Sequence, residues 1–107
     1  MGEVVDQKQL LDIVSELKKQ NKTIVTTNGC FDIIHAGHVR YLKHAKKLGD
    51  VLIMCLNSDA SVQRLKGPTR PLNHQDDRAE VMAALESINY VVIFEEDTPV
   101  NILAKIK

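Results

Sequence analysis

His35 and His38, separated by Ala36 and Gly37, are the pair in this 107-residue chain best suited to chemistry. They stand where a β-branched stretch gives way to a segment with helical spacing. An imidazole offers a directed N–H donor. A helix N-terminus adds unpaired backbone N–H groups and a partial positive charge, so two histidines at such a junction suit phosphate oxygens. Gly37 removes the side chain that would hold a phosphate away from the backbone. Asp32 is placed to orient a histidine, a lysine or a metal-bound phosphate. Two plainer explanations stand beside this one. A histidine near a helix start often serves only as a surface or capping group, and His35, His38 and Cys30 together could hold a metal. Zinc takes three or four ligands, and spacing fixes no third here.

The elements around this loop must place it. Asp6 with Gln9 predicts a capped helix start, and Leu10, Ile13, Val14 and Leu17 mark one helical face. Lys18 and Lys19 suit the negative end of that helix. Thr23 to Thr27 is β-branched throughout and predicts a strand, with Gly29 to Gly37 as the loop after it. A second helix is expected over His38 to Leu48, with Tyr41, Leu42, Ala45 and Leu48 inward and Gly49 as a left-handed stop. Val51 to Leu56 is continuously apolar, as in a strand buried on both faces. A short helical turn is expected at Asn57-Ser58-Asp59, and a loop from Lys66 to Pro71. Asn73 is expected to cap a third helix with Val81, Met82, Leu85 and Ile88 inside. Tyr90 to Phe94 predicts a third strand, and Thr98-Pro99 the start of a fourth helix. Strands alternating with helices imply an α/β fold, a Rossmann-like parallel sheet with flanking helices and right-handed crossovers. The His-x-Gly-His loop then lies where such sheets seat ligands.

Composition narrows the class. The length allows one domain, with an N-terminal helix over 1–21 and the α/β unit over 22–107. Formal net charge is zero, so nothing general favours nucleic acid or an anionic membrane as a partner. No apolar run approaches the roughly 20 residues that span a bilayer, and the first residues lack the pattern of a signal peptide. Two cysteines, Cys30 and Cys55, are too few for a disulfide scaffold and suit small buried positions. A reduced, cytoplasmic protein is the expectation.

The stretch Thr26-Thr27-Asn28-Gly29-Cys30-Phe31-Asp32-Ile33-Ile34-His35-Ala36-Gly37-His38 resembles the signature of the cytidylyltransferase-like nucleotidyltransferase superfamily. Its wording is most similar to the adenylyltransferase domains that make ADP-heptose. The likeness continues through Lys47-Leu48-Gly49-Asp50, Leu56-Asn57-Ser58-Asp59, Arg64-Leu65-Lys66-Gly67, Arg70-Pro71, Asp77-Arg78 and Phe94-Glu95-Glu96-Asp97-Thr98-Pro99.

The resemblance implies a reaction in which a heptose 1-phosphate attacks the α-phosphorus of ATP directly, giving ADP-heptose and pyrophosphate. The physical task is positioning and charge neutralisation, shared with Mg²⁺ brought by ATP rather than held by protein ligands. It implies catalytic roles for His35, His38 and Lys66. Asn28, Gly29, Cys30, Phe31, Asp32 and Gly37 would line the nucleotide and phosphate pocket, and Asn57, Asp59, Arg70 and Arg78 the substrate side. Taken alone, Asn57 and Asp59 could equally be a helix cap. Lys66 and Arg70 could be solvated loop charges, and Arg78 could pair with Asp77 or Glu80 on an exposed face.

The family pattern continues with two further strands beside the first, one ending in a Gly-Gly-Asp-Tyr-like segment and one leading to a Ser-Thr-Thr-type motif. Neither is in this sequence. In the strand order 3-2-1-4-5 that the resemblance implies, the first strand becomes a free edge and the site lacks one wall. Self-association, or completion of the sheet by a partner chain, is therefore expected. A phosphate-binding fragment without turnover, and a cytidylyltransferase acting on an alcohol phosphate, are the alternatives to an adenylyltransferase.

Overall fold

The computed structural model describes residues 2–106. Its elements in chain order are β1 (Glu3–Val4), α1 (Gln7–Lys19), β2 (Ile24–Gly29), α2 (Ala36–Lys46), β3 (Val51–Asn57), α3 (Asp59–Lys66), α4 (Gln75–Ala83), β4 (Tyr90–Phe94) and α5 (Val100–Ile106). All strand pairs are parallel, and the sheet order is β1-β4-β3-β2. The three strands expected from hydrophobic patterning are β2, β3 and β4. The two-residue β1 was not expected, because an element that short carries no periodicity. It is held by its register against β4, Glu3 opposite Tyr90 and Val4 opposite Val91.

β3 is buried at every position, and its alternation divides the core. Val51, Ile53 and Cys55 face one way and join Leu10 and Val14 of α1 and Ile102 and Ile106 of α5. Leu52, Met54 and Leu56 face the other way and join Leu42 and Ala45 of α2 and Ala79 and Met82 of α4. Both faces of the sheet are thus covered by helices, which is why β3 reads as an unbroken apolar run. α1 starts with the expected capping box. Asp6 accepts from the Gln9 N–H at 2.7 Å, and the Gln9 side chain accepts from the Asp6 N–H at 2.9 Å.

Several local expectations are corrected. β2 runs on through Asn28 and Gly29, so the loop begins one residue later than expected. α2 begins at Ala36 and ends at Lys46, and Tyr41 and Leu48 are exposed. Gly49 has no positive φ; the left-handed glycine is Gly67, which ends α3. Gly49 is small because a Cβ there would stand 2.8 Å from a Val25 methyl and 2.9 Å from the Thr23 carbonyl oxygen. The turn expected at Asn57–Asp59 is the start of a full helix, α3, capped by Ser58. α4 buries Arg78, Ala79 and Met82 while Val81 is exposed; Ile88 is buried beyond its end. Its N-cap position is His74, which makes no side-chain cap bond; Asn73, expected to cap, donates its amide to the Asp32 carbonyl instead.

Candidate active site

Among the described residues β2 is an edge strand, and its C-terminal end delivers Asn28 and Gly29 to the surface beside β3. The chain then turns sharply. Phe31 has φ +45°, a left-handed conformation that is costly for a bulky residue. The turn folds the Phe31 ring over Gly29, where a Cβ would stand 2.5 Å from the ring. It also sets the ring edge-on to His38, with centroids 4.9 Å apart.

His35 is the N-cap of α2, and His38 is the third helical residue. The His35 Nδ1 accepts from the Gly37 N–H at 3.1 Å, and the His38 Nδ1 accepts from the His35 N–H at 3.3 Å. This is a capping box built from two imidazoles. It has a chemical consequence. With Nδ1 accepting in both rings, the proton of each neutral imidazole sits on Nε2, so each ring keeps one N–H donor for another acceptor. The rings stack at 3.9 Å with 23° between planes, which keeps those donors side by side. Burial first, and then the neighbouring His35, hold the His38 pKa below its ordinary 6.5. Gly37 has a more local role than expected. A Cβ there would lie 2.8 Å from the His35 ring, so glycine lets the imidazole close over its own cap.

A cleft of about 410 Å³ opens beside this loop, lined by Asn28, Gly29, Cys30, Phe31, His38, Tyr41 and Lys66. Four of the residues assigned to the nucleotide pocket, His38 and Lys66 therefore share one cavity, although Lys66 comes from the far end of α3. Tyr41 was expected inside. It lies one helical turn after His38 on the cleft wall, and its hydroxyl is 2.9 Å from the Thr27 hydroxyl. The i, i+3 spacing from His38 was the available signal.

Asp32 is not an orienter of histidine or lysine. Its side chain is 1 % exposed and receives Arg70 Nε at 2.8 Å, the Leu72 N–H at 2.7 Å and the Asn73 N–H at 2.8 Å. Burial pushes its pKa up, but the two backbone donors and Arg70 together outweigh that and lower it from 3.8 to about 2. The Asn73 amide returns to the Asp32 carbonyl at 2.6 Å.

Arg78 is neither exposed nor paired with Asp77 or Glu80. It is 1 % exposed and donates to the carbonyls of Asn73, Cys30 and Asn57 at 3.0, 2.7 and 2.8 Å and to Asp59 at 2.8 Å. Four of its five N–H groups are therefore taken by protein. Asn57 and Asp59 are not the cap of α3 either. The Asn57 amide donates to the Ser61 hydroxyl, which donates to the Glu96 carbonyl. Asp59 binds Arg78 and lies 3.4 Å from His74. Arg70, His74, Asp59 and Gln63 line a separate hollow of about 380 Å³. Cys30 is half-buried on the cleft. Cys55 is fully buried, and burial raises its thiol pKa to about 11. The metal alternative through His35, His38 and Cys30 finds no counterpart. Among the described residues no three His, Cys, Asp or Glu side chains are grouped to hold a metal ion.

The profile of the cytidylyltransferase-like family matches residues 26–107. The chain belongs to that family. This cytidylyltransferase-like domain, by resemblance a nucleotidyltransferase, is similar to the bifunctional protein HldE of Campylobacter concisus, at 60 % identity over 99 residues, 92 % of this chain and 21 % of that protein. It is also similar to HldE of a Nitratiruptor species, at 57 % identity over 104 residues, 97 % of this chain and 22 % of that protein. The chain thus spans about a fifth of the length of these curated relatives. Among solved structures it matches the lipopolysaccharide core biosynthesis protein from Thermoplasma volcanium GSS1 with a TM-score of 0.70 and 29 % identity, over 79 % of this chain and 68 % of that one. No helix of the described residues is long and apolar enough to cross a membrane.

Proposed function

We propose that this domain binds the triphosphate of ATP and serves adenylyl transfer to a sugar 1-phosphate, a heptose 1-phosphate on the strength of its sequence resemblance. The observation that carries the reading is the double imidazole cap. Both Nδ1 atoms are occupied, so two Nε2–H donors stand at the N-terminus of α2, beside a cleft that also holds Lys66. Such donors suit the α-phosphate as it gains charge during in-line attack, and the lysine suits the charge passing to pyrophosphate. Charge stabilisation and alignment are the whole task, because sugar phosphate and nucleotide react directly without a covalent intermediate. Among the described residues no carboxylate cluster fits a resident metal, and the Asp32 oxygens are taken by protein donors. Mg²⁺ is accordingly assigned to the nucleotide substrate.

The test is pyrophosphate release from Mg·ATP and heptose 1-phosphate, with His38→Ala alongside. Loss of at least a hundredfold in the variant is expected, as for removal of one transition-state donor. Unchanged release in the variant rejects the histidine assignment, and CTP outperforming ATP favours a cytidylyltransferase. One observation supports a second reading, a nucleotide-binding unit that does not turn over alone. Among the described residues β2 pairs on one side only, so the cleft at its end is walled from one direction. Binding of Mg·ATP without pyrophosphate release marks that case.

A further inference from the structure

Two buried charged groups outside the cleft cross-link the segments that form it. Asp32 leaves the histidine loop and takes three donors from Arg70, Leu72 and Asn73, and its carbonyl takes a fourth from the Asn73 amide. Arg78 ties the carbonyl of Cys30, in the same loop, to that of Asn73 and to Asn57 and Asp59 at the end of β3 and the start of α3. Lys66 lies between these anchors. It ends α3, and Gly67, in its left-handed conformation, redirects the chain toward Arg70. Arg70 donates its own N–H back to the Gly67 carbonyl at 3.1 Å. Among the described contacts Lys66 makes no side-chain hydrogen bond or ion pair of its own. It lines the same cleft as His38, and residues 67–73 follow it directly.

We infer that Asp32, with Arg70 and Arg78, is a positioning device that clamps the 67–73 loop to the histidine loop and thereby sets where Lys66 stands in the nucleotide cleft. None of the three needs to touch the nucleotide for this. Their partners are protein groups, and Asp32 and Arg78 are almost wholly enclosed. The inference rests on the proposed nucleotide site for its functional consequence, but its structural half does not.

A double-substitution cycle on Mg·ATP affinity reads the consequence. Lys66→Ala is expected to weaken binding about tenfold, the worth of one charged hydrogen bond. Asp32→Asn, which leaves the lysine in place, is expected to weaken it by a similar factor. The double variant should be no weaker than either single one, because both remove the same contact. Multiplying effects, near a hundredfold in the double variant, overturn the inference, as does Lys66→Ala binding at full affinity.

Hydrogen exchange gives a reading that needs no nucleotide, so failure of the whole chain to bind ATP is told apart from failure of the clamp. Asp32→Asn should speed exchange at the amides of residues 67–73 by tenfold or more, while β3 stays protected. Unchanged exchange in that loop overturns the clamp. If Asp32→Asn also exposes β3, Arg70→Lys keeps the charge and removes the directed Nε contact. The same loop-confined pattern is then expected, and its absence overturns the inference.

Discussion

At the residue scale the decisive feature is where two protons sit. His35 and His38 use Nδ1 to finish the start of α2, and this leaves Nε2–H free on each ring. The capping geometry therefore performs two tasks, satisfying orphan helix donors and fixing the tautomers. His38 has a lowered pKa, so the fold favours its neutral form. Its contribution to stability is present above the ordinary histidine value and is lost as pH falls through the lowered one. A bound polyphosphate works the other way, since negative charge favours the imidazolium. The His38 midpoint followed by NMR should lie below 6.5 in the free protein and rise on adding ATP. Nucleotide affinity should correspondingly increase as pH is lowered from 8 toward 6.5. A midpoint that ATP leaves in place would show that the ring does not face phosphate.

At the scale of elements, the site is an assembly of segment ends. The end of β2, the start of α2, the end of α3 and the loop before α4 meet, and Asp32 and Arg78 supply most of the joints. Asp32 has its pKa lowered to about 2, so its ionised form is favoured by the fold. The resulting stability is present above about pH 3.8 and is lost as pH falls through about 2. The fall from 3.8 to about 2 corresponds to about 2 kcal/mol for a side chain this enclosed. Asp32→Asn should therefore lower the urea midpoint markedly at pH 6, and the difference from the unmodified chain should narrow strongly as pH falls to 2. A gap that persists unchanged at pH 2 means the aspartate acts through packing rather than charge.

For the molecule as a whole, the described sheet ends in a two-residue edge at β1 and a six-residue edge at β2. β1 and β4 cover one flank of β3, while among the described residues β2 presents an unpaired edge beside the candidate cleft. A free parallel edge with half-buried Ile24 and Val25 is a template for another strand. We expect this edge to accept a further strand, a second copy serving in the isolated chain. Scattering at increasing concentration should show growing mass for the isolated chain. A constant monomer mass at millimolar concentration contradicts self-association through this edge.

The architecture and the position of the histidine loop were legible along the chain, since both depend on local pattern. β3 shows its two-sided burial as an unbroken apolar run. α1 shows its start in Asp6 and Gln9, and the histidine pair stands at a strand-to-helix junction marked by a change of periodicity. The tertiary structure decided what the polar residues around that loop do. Asp32, Asn57, Asp59, Asn73 and Arg78 are each compatible with a cap, a solvated pair or a ligand contact when read along the chain. Their actual partners lie 19 to 48 positions away in the most telling cases, Arg78 to Asp59 and Arg78 to Cys30. Local spacing carries no record of such contacts. Burial settles them, because an arginine or aspartate enclosed by the fold must find its hydrogen-bond partners among whatever groups the packed segments bring to it.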